Sequence, residues 1–181
     1  MMMKKIVFFL LIIPAFCFGQ NKKSLSHFCE IPWGTSIEQV ESILRDRNLE
    51  VFRANEYIST LAYYEGEKAL IVFMFNRINR FYSGNVIYAS AGIEAIEKYQ
   101  NYRLVLFRRY GMPDMGIESF AEPYKKGDGR EVEAISTENA FYFTEWQFQD
   151  NCLASVSILN NLDICLSFIN PVYADSGIGQ R

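Results

Sequence analysis

The chain has 181 residues and a formal net charge of −3, and half of its residues are apolar. This apolar content is sufficient for the packed interior of a single domain. The acidic balance disfavours binding to nucleic acids, because phosphate backbones are negatively charged and the chain has no dense cluster of Lys and Arg to attract them.

The first 19 residues have the pattern of a secretory signal peptide. Two lysines are followed by an apolar stretch at residues 6–16 that is short for a membrane span, and small residues precede a predicted cleavage site between Gly19 and Gln20. Cleavage removes the two lysines and no acid, which leaves 16 basic and 21 acidic residues, a net charge of −5. We therefore expect a periplasmic or secreted protein with no stable membrane insertion.

The cysteines bear on anchoring and cross-linking. Cys17 does not fit a lipid-anchor signal, because the bulky Phe16 directly precedes it. Three cysteines follow the predicted cleavage site, and an odd number leaves at least one free thiol or an intermolecular bridge in an oxidising compartment. Side-chain alternation places Cys152 and Cys165 on opposite faces of a hairpin, so we expect no disulfide bond between them.

We expect one α+β domain at residues 28–173, with a flexible leader at 20–27 and a flexible tail at 174–181. The domain divides into two similar halves, residues 28–89 and 90–173, each with a helix followed by three strands. This order predicts two helix-plus-three-strand repeats that form antiparallel sheet, with the helices packed on one face.

The first half begins with an amphipathic helix. Apolar side chains recur at helical spacing over residues 37–44. Thr35 and Ser36 are both suitable N-caps, and Glu38 and Gln39 lie three residues after them, which gives two possible capping boxes.

Three strand-like segments follow, at residues 57–64, 69–75 and 80–88, with turn-forming residues between them. The segment at 69–75 is apolar at every position. We therefore expect a central strand with both of its faces covered.

The second half begins with the longest predicted helix, at residues 91–111, which Gly111 and Pro113 bring to an end. Residues 114–139 combine Pro, Gly and charged side chains, so we expect a long surface loop there.

Three alternating segments complete the chain, at residues 140–148, 152–159 and 164–168. In the first of them, Tyr142 and Trp146 belong to the inward set, whereas Phe141 and Phe143 belong to the outward set.

Residues 33–44, WGTSIEQVESIL, resemble the helix start of BamE-type outer-membrane assembly lipoproteins, of domains like the β-lactamase inhibitor protein, and of many uncharacterised exported bacterial proteins. The Gly-x-Pro that often ends this helix is matched at residues 111–113 of the second half but not in the first half. The missing lipidation signal departs from the lipoprotein members. The resemblance implies a tandem helix-and-strand fold whose members bind proteins rather than catalyse reactions.

Residue types and spacing offer little support for catalysis. His27 is the only histidine, which excludes any multi-His metal site. His27 and Cys29 could form a dyad, but no third residue is placed to orient it. The acidic pairs Glu94 with Glu97 and Glu131 with Glu133 are more typical of solvated surfaces.

We therefore predict no catalytic residue, no metal site and no cofactor. The sequence favours an exported non-enzymatic binding or inhibitor/assembly-type module of the bacterial envelope; the alternative is a small periplasmic hydrolase that uses loop carboxylates. The predicted partner is another envelope protein, and the predicted binding residues are Phe141 and Phe143 on the outer face of the second sheet, which the last three strands are expected to form. The competing interpretation is that the first half of the chain folds over this face.

Overall fold

The structure is a computed structural model that describes residues 24–174. The predicted cleavage site at Gly19 and Gln20 and the tail beyond Ala174 lie outside these residues. In chain order, the described elements are β1 (His27–Phe28), β2 (Ile31–Pro32), α1 (Ile37–Asp46), β3 (Phe52–Arg53), β4 (Tyr57–Tyr64), β5 (Glu67–Phe75), β6 (Phe81–Tyr88), α2 (Glu94–Tyr110), β7 (Met115–Phe120), α3 (Glu131–Ser136), β8 (Ala140–Gln147), β9 (Leu153–Ile158), β10 (Ile164–Ile169) and α4 (Pro171–Ala174).

Eight strands form one antiparallel sheet in the order β3-β4-β5-β6-β10-β9-β8-β7. The last strand of each half lies at the centre, where Tyr88 of β6 pairs with Ile164 of β10. The earlier strands of each half extend outward from this pair. The protein is therefore a mixed α+β protein with a large antiparallel sheet, as the sequence predicts.

Helix α1 begins at the second of the two predicted capping boxes. The Gln39 backbone N–H donates to the Ser36 hydroxyl at 3.4 Å, and the Ser36 backbone N–H donates to the Gln39 side-chain oxygen at 3.3 Å. The apolar stripe then buries Ile37, Val40 and Leu44, so the period of 3.6 residues directs this face toward the core.

Helix α2 packs across β8, β9 and β10. It ends before Gly111, which has a φ of 87° that a residue with a side chain rarely adopts. The hydroxyl groups of Tyr99 and Thr144 lie 2.7 Å apart in the core and join the helix to β8. This hydrogen bond satisfies two polar groups that burial would otherwise penalise.

Phe28, in the two-stranded sheet of β1 and β2, closes the core of the first half. Its ring centroid lies 5.5 Å from that of Phe73 and 5.2 Å from that of Phe168. The ring packs directly on Gly84 of β6, where an ideal Cβ would come within 2.2 Å of it. Aromatic rings from both halves of the sheet therefore meet around one side chain.

The chain is already held in place at Ser24. The Ser24 hydroxyl donates to the Asp150 carboxylate at 2.6 Å, and the Leu25 N–H donates to it at 3.0 Å. The indole N–H of Trp33 also donates to the Leu25 carbonyl oxygen. The described end of the leader expected at residues 20–27 is thus attached to the domain.

The structure differs from three sequence-based expectations. Residues 114–139 contain β7 and α3 and are not one long loop. The sheet contains four strands from each half, and the chain also forms β1, β2 and two short helices, so repeats of three strands are not confirmed. The face of β5 that includes Leu70 is open, because the helices cover only the face that includes Phe73.

No helix within residues 24–174 is both long enough and apolar enough to cross a membrane.

Candidate functional site

The uncovered side of the eight-stranded sheet is the candidate site, and we call it the open face. It consists of the odd-numbered residues of β4, β7, β8, β9 and β10, the even-numbered residues of β5, Phe52 of β3, and Ser83, Asn85 and Ile87 of β6. The alternate residues on the other side of the sheet form the buried core beneath α1 and α2.

The strand register aligns side chains of the open face in continuous rows. One row crosses seven strands, and its members are Leu61, Leu70, Ile87, Cys165, Ser157, Phe143 and Ile117. Lys68 and Glu145 are the only charged residues at the strand positions of this face. An exposed sheet face with so few charges is unusual for a surface in contact with water alone.

A groove of about 710 Å³ lies at one corner of the open face, over β7, β8 and β9. Ile117, Phe141, Phe143 and Leu159 contribute its apolar wall, and Glu138 lies at its rim. Phe141 is 61% exposed, and Phe143 is half-buried. The structure thus brings the two predicted binding residues together in one concave surface.

The first half of the chain does not cover this groove. Strands β3 to β5 extend the same sheet sideways from the central pair of β6 and β10, so they enlarge the open face. The competing interpretation, in which the first half folds over Phe141 and Phe143, is therefore not the arrangement in the structure.

Glu145 is a half-buried carboxylate on the open face, next to Met115 of the outermost strand. Burial and the nearby charge of Asp114 raise the pKa of Glu145. Among residues 24–174, no cation or hydrogen-bond donor contacts the Glu145 side chain. Asp114 instead accepts a hydrogen bond from the Gln147 N–H at 2.8 Å. Partial burial without a cationic partner favours the protonated form of this carboxyl group.

The centre of the open face is small and polar. Asn85, Ser167 and Ser155 lie side by side on β6, β10 and β9. The Cys165 sulfur is 4.0 Å from the side-chain oxygen of Asn85, on this face, whereas Cys152 is buried in the core. The prediction that these two cysteines are not bonded to each other is confirmed, because the alternation directs them to opposite sides.

The carboxylates of residues 127–133 are engaged in local contacts. Arg130 and Tyr124 donate hydrogen bonds to Glu133, and these bonds lower the pKa of its carboxyl group. Glu131 accepts a hydrogen bond from the Gly127 N–H at 2.6 Å. A carboxyl group with a lowered pKa is a poor general acid at neutral pH.

A second cavity, of about 410 Å³, lies beside α2 and includes Glu94 and Glu97. Lys98 lies 2.6 Å from Glu67 and 3.6 Å from Glu94. Burial acts to raise the pKa of Glu67, but hydrogen bonds from Lys98 and Tyr102 hold it below its usual value. Lys98, Glu67 and Glu94 therefore form a group of ion pairs at the surface. The lowered pKa of Glu67 makes it a poor general acid at neutral pH.

His27 and Cys29 do not form a dyad. The ring of His27 is exposed and its Nδ1 lies 2.9 Å from the Ser26 hydroxyl. Burial raises the pKa of the Cys29 thiol to about 12, which removes the thiolate needed for attack. Within residues 24–174, no group of three or more His, Cys, Asp or Glu side chains is placed to hold a metal ion.

Sequence reasoning missed Ile117 and Met115, which lie in the segment expected to be a loop, and Leu61 and Leu70, which belong to the first half. The sequence feature that indicates a strand in this segment is the alternation of the apolar residues Met115 and Ile117 with Gly116 and Glu118.

The chain matches no protein-family model, and no curated protein or solved structure is significantly similar to it.

Proposed function

We propose that this chain is an exported, non-enzymatic binding module of the bacterial envelope, of the inhibitor or assembly type, and that it binds another envelope protein through the open face. The observation that supports this proposal is the nearly uncharged open face, with the groove around Phe141 and Phe143 at its corner. Apolar surface of this kind gains stability when a partner removes it from water.

The dimensions of the open face suit a protein partner. Seven strand spacings of about 4.8 Å and a strand length of about 20 Å give an area of roughly 700 Å². Each partner in a stable protein complex contributes about 800 Å². The open face is therefore of the size that a specific interface needs, and its row of small residues around Ser155 and Ser167 leaves a flat centre.

The proposal includes export and a duplicated origin. The basic start and apolar stretch of the first 19 residues support export to the periplasm or beyond. The mirrored strand order on the two sides of β6 and β10 supports a tandem duplication of a helix-and-strand unit. Such a unit fits the resemblance to BamE-type proteins and to domains like the β-lactamase inhibitor protein.

The alternative function, a small periplasmic hydrolase, has weaker support. It requires two close carboxylates with raised pKa values in a pocket. Glu67 and Glu133 instead have lowered pKa values and cationic partners. Glu145 has a raised pKa but lies on the open face, outside the groove lining.

The test is a pull-down from an envelope extract with the tagged chain that starts at Gln20. The double variant Phe141→Glu with Phe143→Glu should lose a specific co-purifying protein, because two charges would enter the groove, while its thermal melt stays close to that of the wild type. The matched control is Leu104→Glu with Phe107→Glu, which adds the same charge at two exposed positions of α2. Capture that survives the first double variant would end the proposal.

A further inference from the structure

We propose that β7 is the docking edge for an extended segment of the partner, which joins the sheet as a ninth strand and carries a basic side chain that faces Glu145. This proposal rests on the binding function proposed above and names the kind of segment that is bound. Addition of a strand to a free sheet edge is an established mode of peptide recognition, in which main-chain hydrogen bonds supply affinity and alternate side chains supply specificity.

The two edges of the sheet differ in how well they are protected. At one edge, β3 has two residues, and its Arg53 is paired with Glu38 and Glu41 of α1. A short, charged strand of this kind discourages further pairing. At the other edge, β7 has six residues with no Pro, no Lys and no register shift, and within residues 24–174 it pairs with β8 alone.

The free side of β7 offers backbone hydrogen-bonding groups. The Ala121 N–H donates to the Asn139 carbonyl at 2.7 Å and continues the register of β7 with β8. Because antiparallel strands alternate between bonded and non-bonded pairs, the odd-numbered residues of β7 bond to β8. The N–H and C=O groups of Gly116, Glu118 and Phe120 therefore point to the free edge, where a new strand would find them.

The side chains near this edge favour apolar residues in the added strand. Residues opposite Ile117 and Ser119 would point toward the open face, beside the groove. Ser119 is small, so it leaves the flank of Phe141 uncovered, and Phe141 is 61% exposed. An apolar side chain opposite Ser119 would pack on Phe141, and one opposite Ile117 would extend the apolar row of the open face.

The carboxylate of Glu145 favours a basic residue at a third position of the added strand, the one opposite Met115. Met115 pairs with Glu145, so a residue opposite Met115 lies two strand spacings from Glu145, roughly 10 Å between Cα atoms. A Lys or Arg side chain can span this distance across the surface of Met115. Burial and Asp114 raise the pKa of Glu145, and a cation in this position would supply the partner that the described residues do not.

Charge also distinguishes a partner segment from a second copy of the chain. The β7 strand contains one charged residue, Glu118, and no basic residue. A second copy paired through β7 would bring no cation to Glu145 and would place two Glu118 residues near one another. Antiparallel pairing, which is slightly more stable than parallel pairing, then predicts a segment that reads apolar-x-apolar-x-basic.

The experiment titrates the ¹⁵N-labelled chain that starts at Gln20 with the capped peptide Thr-Phe-Thr-Val-Thr-Lys-Thr, up to roughly 1 mM. We expect downfield shifts of the Gly116, Glu118 and Phe120 amides as they gain hydrogen bonds. A second peptide, with Glu in place of Lys, should bind roughly tenfold more weakly to the wild type. Glu145→Gln should remove most of this difference.

Gly116→Pro and Gly116→Ala form the matched pair of variants. Proline removes the outward N–H and should abolish peptide binding. Alanine keeps the N–H, and its methyl group would meet only the Thr144 hydroxyl at 3.9 Å, so binding should persist. If Gly116→Pro does not fold, the comparison of the two peptides on the wild type and on Glu145→Gln decides the question.

Three results would overturn the proposal: no shift of the three edge amides, equal binding of the two peptides, or unchanged binding to a folded Gly116→Pro. A dimer that Gly116→Pro dissolves would assign the edge to a second copy and would also overturn it. The pull-down separates this inference from the binding function. If Gly116→Pro captures the partner and the Phe141, Phe143 double variant does not, the docking edge is wrong and the binding function stands.

Discussion

The Phe28 ring lies directly on the backbone of Gly84, so that an ideal Cβ at position 84 would be 2.2 Å from Cδ1 of the ring. Gly84 occupies the central strand β6, opposite Phe168 of β10. The missing side chain lets the β1–β2 hairpin close over the junction between the two halves of the sheet.

Gly84→Ala should therefore destabilise the protein by about 1–3 kcal/mol, because a methyl group cannot enter this contact without displacement of Phe28. Denaturant unfolding measures the change. The control is Gly116→Ala, where the new methyl group meets only an ordinary contact at 3.9 Å and the cost should be close to zero. Phe28→Leu should reduce the penalty of Gly84→Ala in the double variant; equal unfolding midpoints for the two alanine variants would contradict the prediction.

Tyr99→Phe should destabilise the protein by about 1–2 kcal/mol, because it removes one partner of the buried 2.7 Å hydrogen bond and leaves the Thr144 hydroxyl unsatisfied. Thr144→Val in the same background should recover part of this loss, since no polar group then remains unpaired. A double-mutant cycle by denaturant unfolding gives the coupling energy. Strictly additive effects of the two substitutions would show that this bond does not join α2 to β8.

Glu145→Gln should raise the melting temperature at pH 7. Burial and Asp114 raise the folded-state pKa of Glu145, so its favourable contribution is complete below the unfolded pKa of about 4.3 and is lost as the pH rises through the folded value. The gain from Gln should thus be present at pH 7 and vanish below about pH 4.

Glu118→Gln is the control with the opposite sign. Hydrogen bonds from Lys126 and Gln100 and the nearby charge of Arg103 lower the pKa of Glu118, although burial opposes them. Its contribution is present above the unfolded pKa and is lost as the pH falls through the folded value. We expect a lower melting temperature at pH 7, with a smaller loss in acid; the same sign for both variants at pH 7 would refute the assignment.

The thiols should differ in reactivity toward iodoacetamide. Burial raises the pKa of Cys165 to about 11 and that of Cys152 to about 12, so both should react slowly at pH 8. Cys165 lies half-buried on the open face and should be modified before Cys152, which lies in the core. Peptide mass mapping follows the order. Recovery of a bridge between Cys152 and Cys165 from the native protein under non-reducing conditions would disprove the strand register.

Alternation in the sequence correctly predicted which side chains of β8 are buried. Tyr142, Thr144 and Trp146 point toward α2, while Phe141 and Phe143 point away, because one face of this strand meets a helix and the other does not. The same one-sided burial predicted the apolar stripe of α1. When only one side of a strand or helix is buried, its apolar residues recur at the period of that element, and this period is visible in the sequence.

Edge strands show this apolar period only weakly. In β7 the alternation is limited to Met115 and Ile117, with Gly116 and Glu118 as the intervening residues, because an edge strand has one neighbouring strand and little need to bury both sets of side chains. The two residues of β3 are too few to show any period. This explains why strands of the sheet were missed in both halves, and with them the contribution of Ile117 to the candidate site.

The apolar run of β5 predicted cover on both faces, yet Leu70 is 36% exposed. Composition indicates that a face avoids water, but it does not indicate which molecule covers it. The sequence alone therefore could not distinguish the open face from a buried core; the order of the strands in the sheet was needed for that distinction.

The pairing of β6 with β10 joins the last strand of the first half to the last strand of the second half at the middle of the sheet. During synthesis, β3 to β6 can pair with one another early. The inner edge of β6 remains unpaired until β10, the last strand of the chain, has been synthesised. Contacts between such distant residues are slow to form, and an unpaired central edge invites association with other chains in the meantime. A nascent chain that stops before Ile164 would lack the central strand β10. The edges of β6 and β9 would then be unpaired and available to strands of other chains.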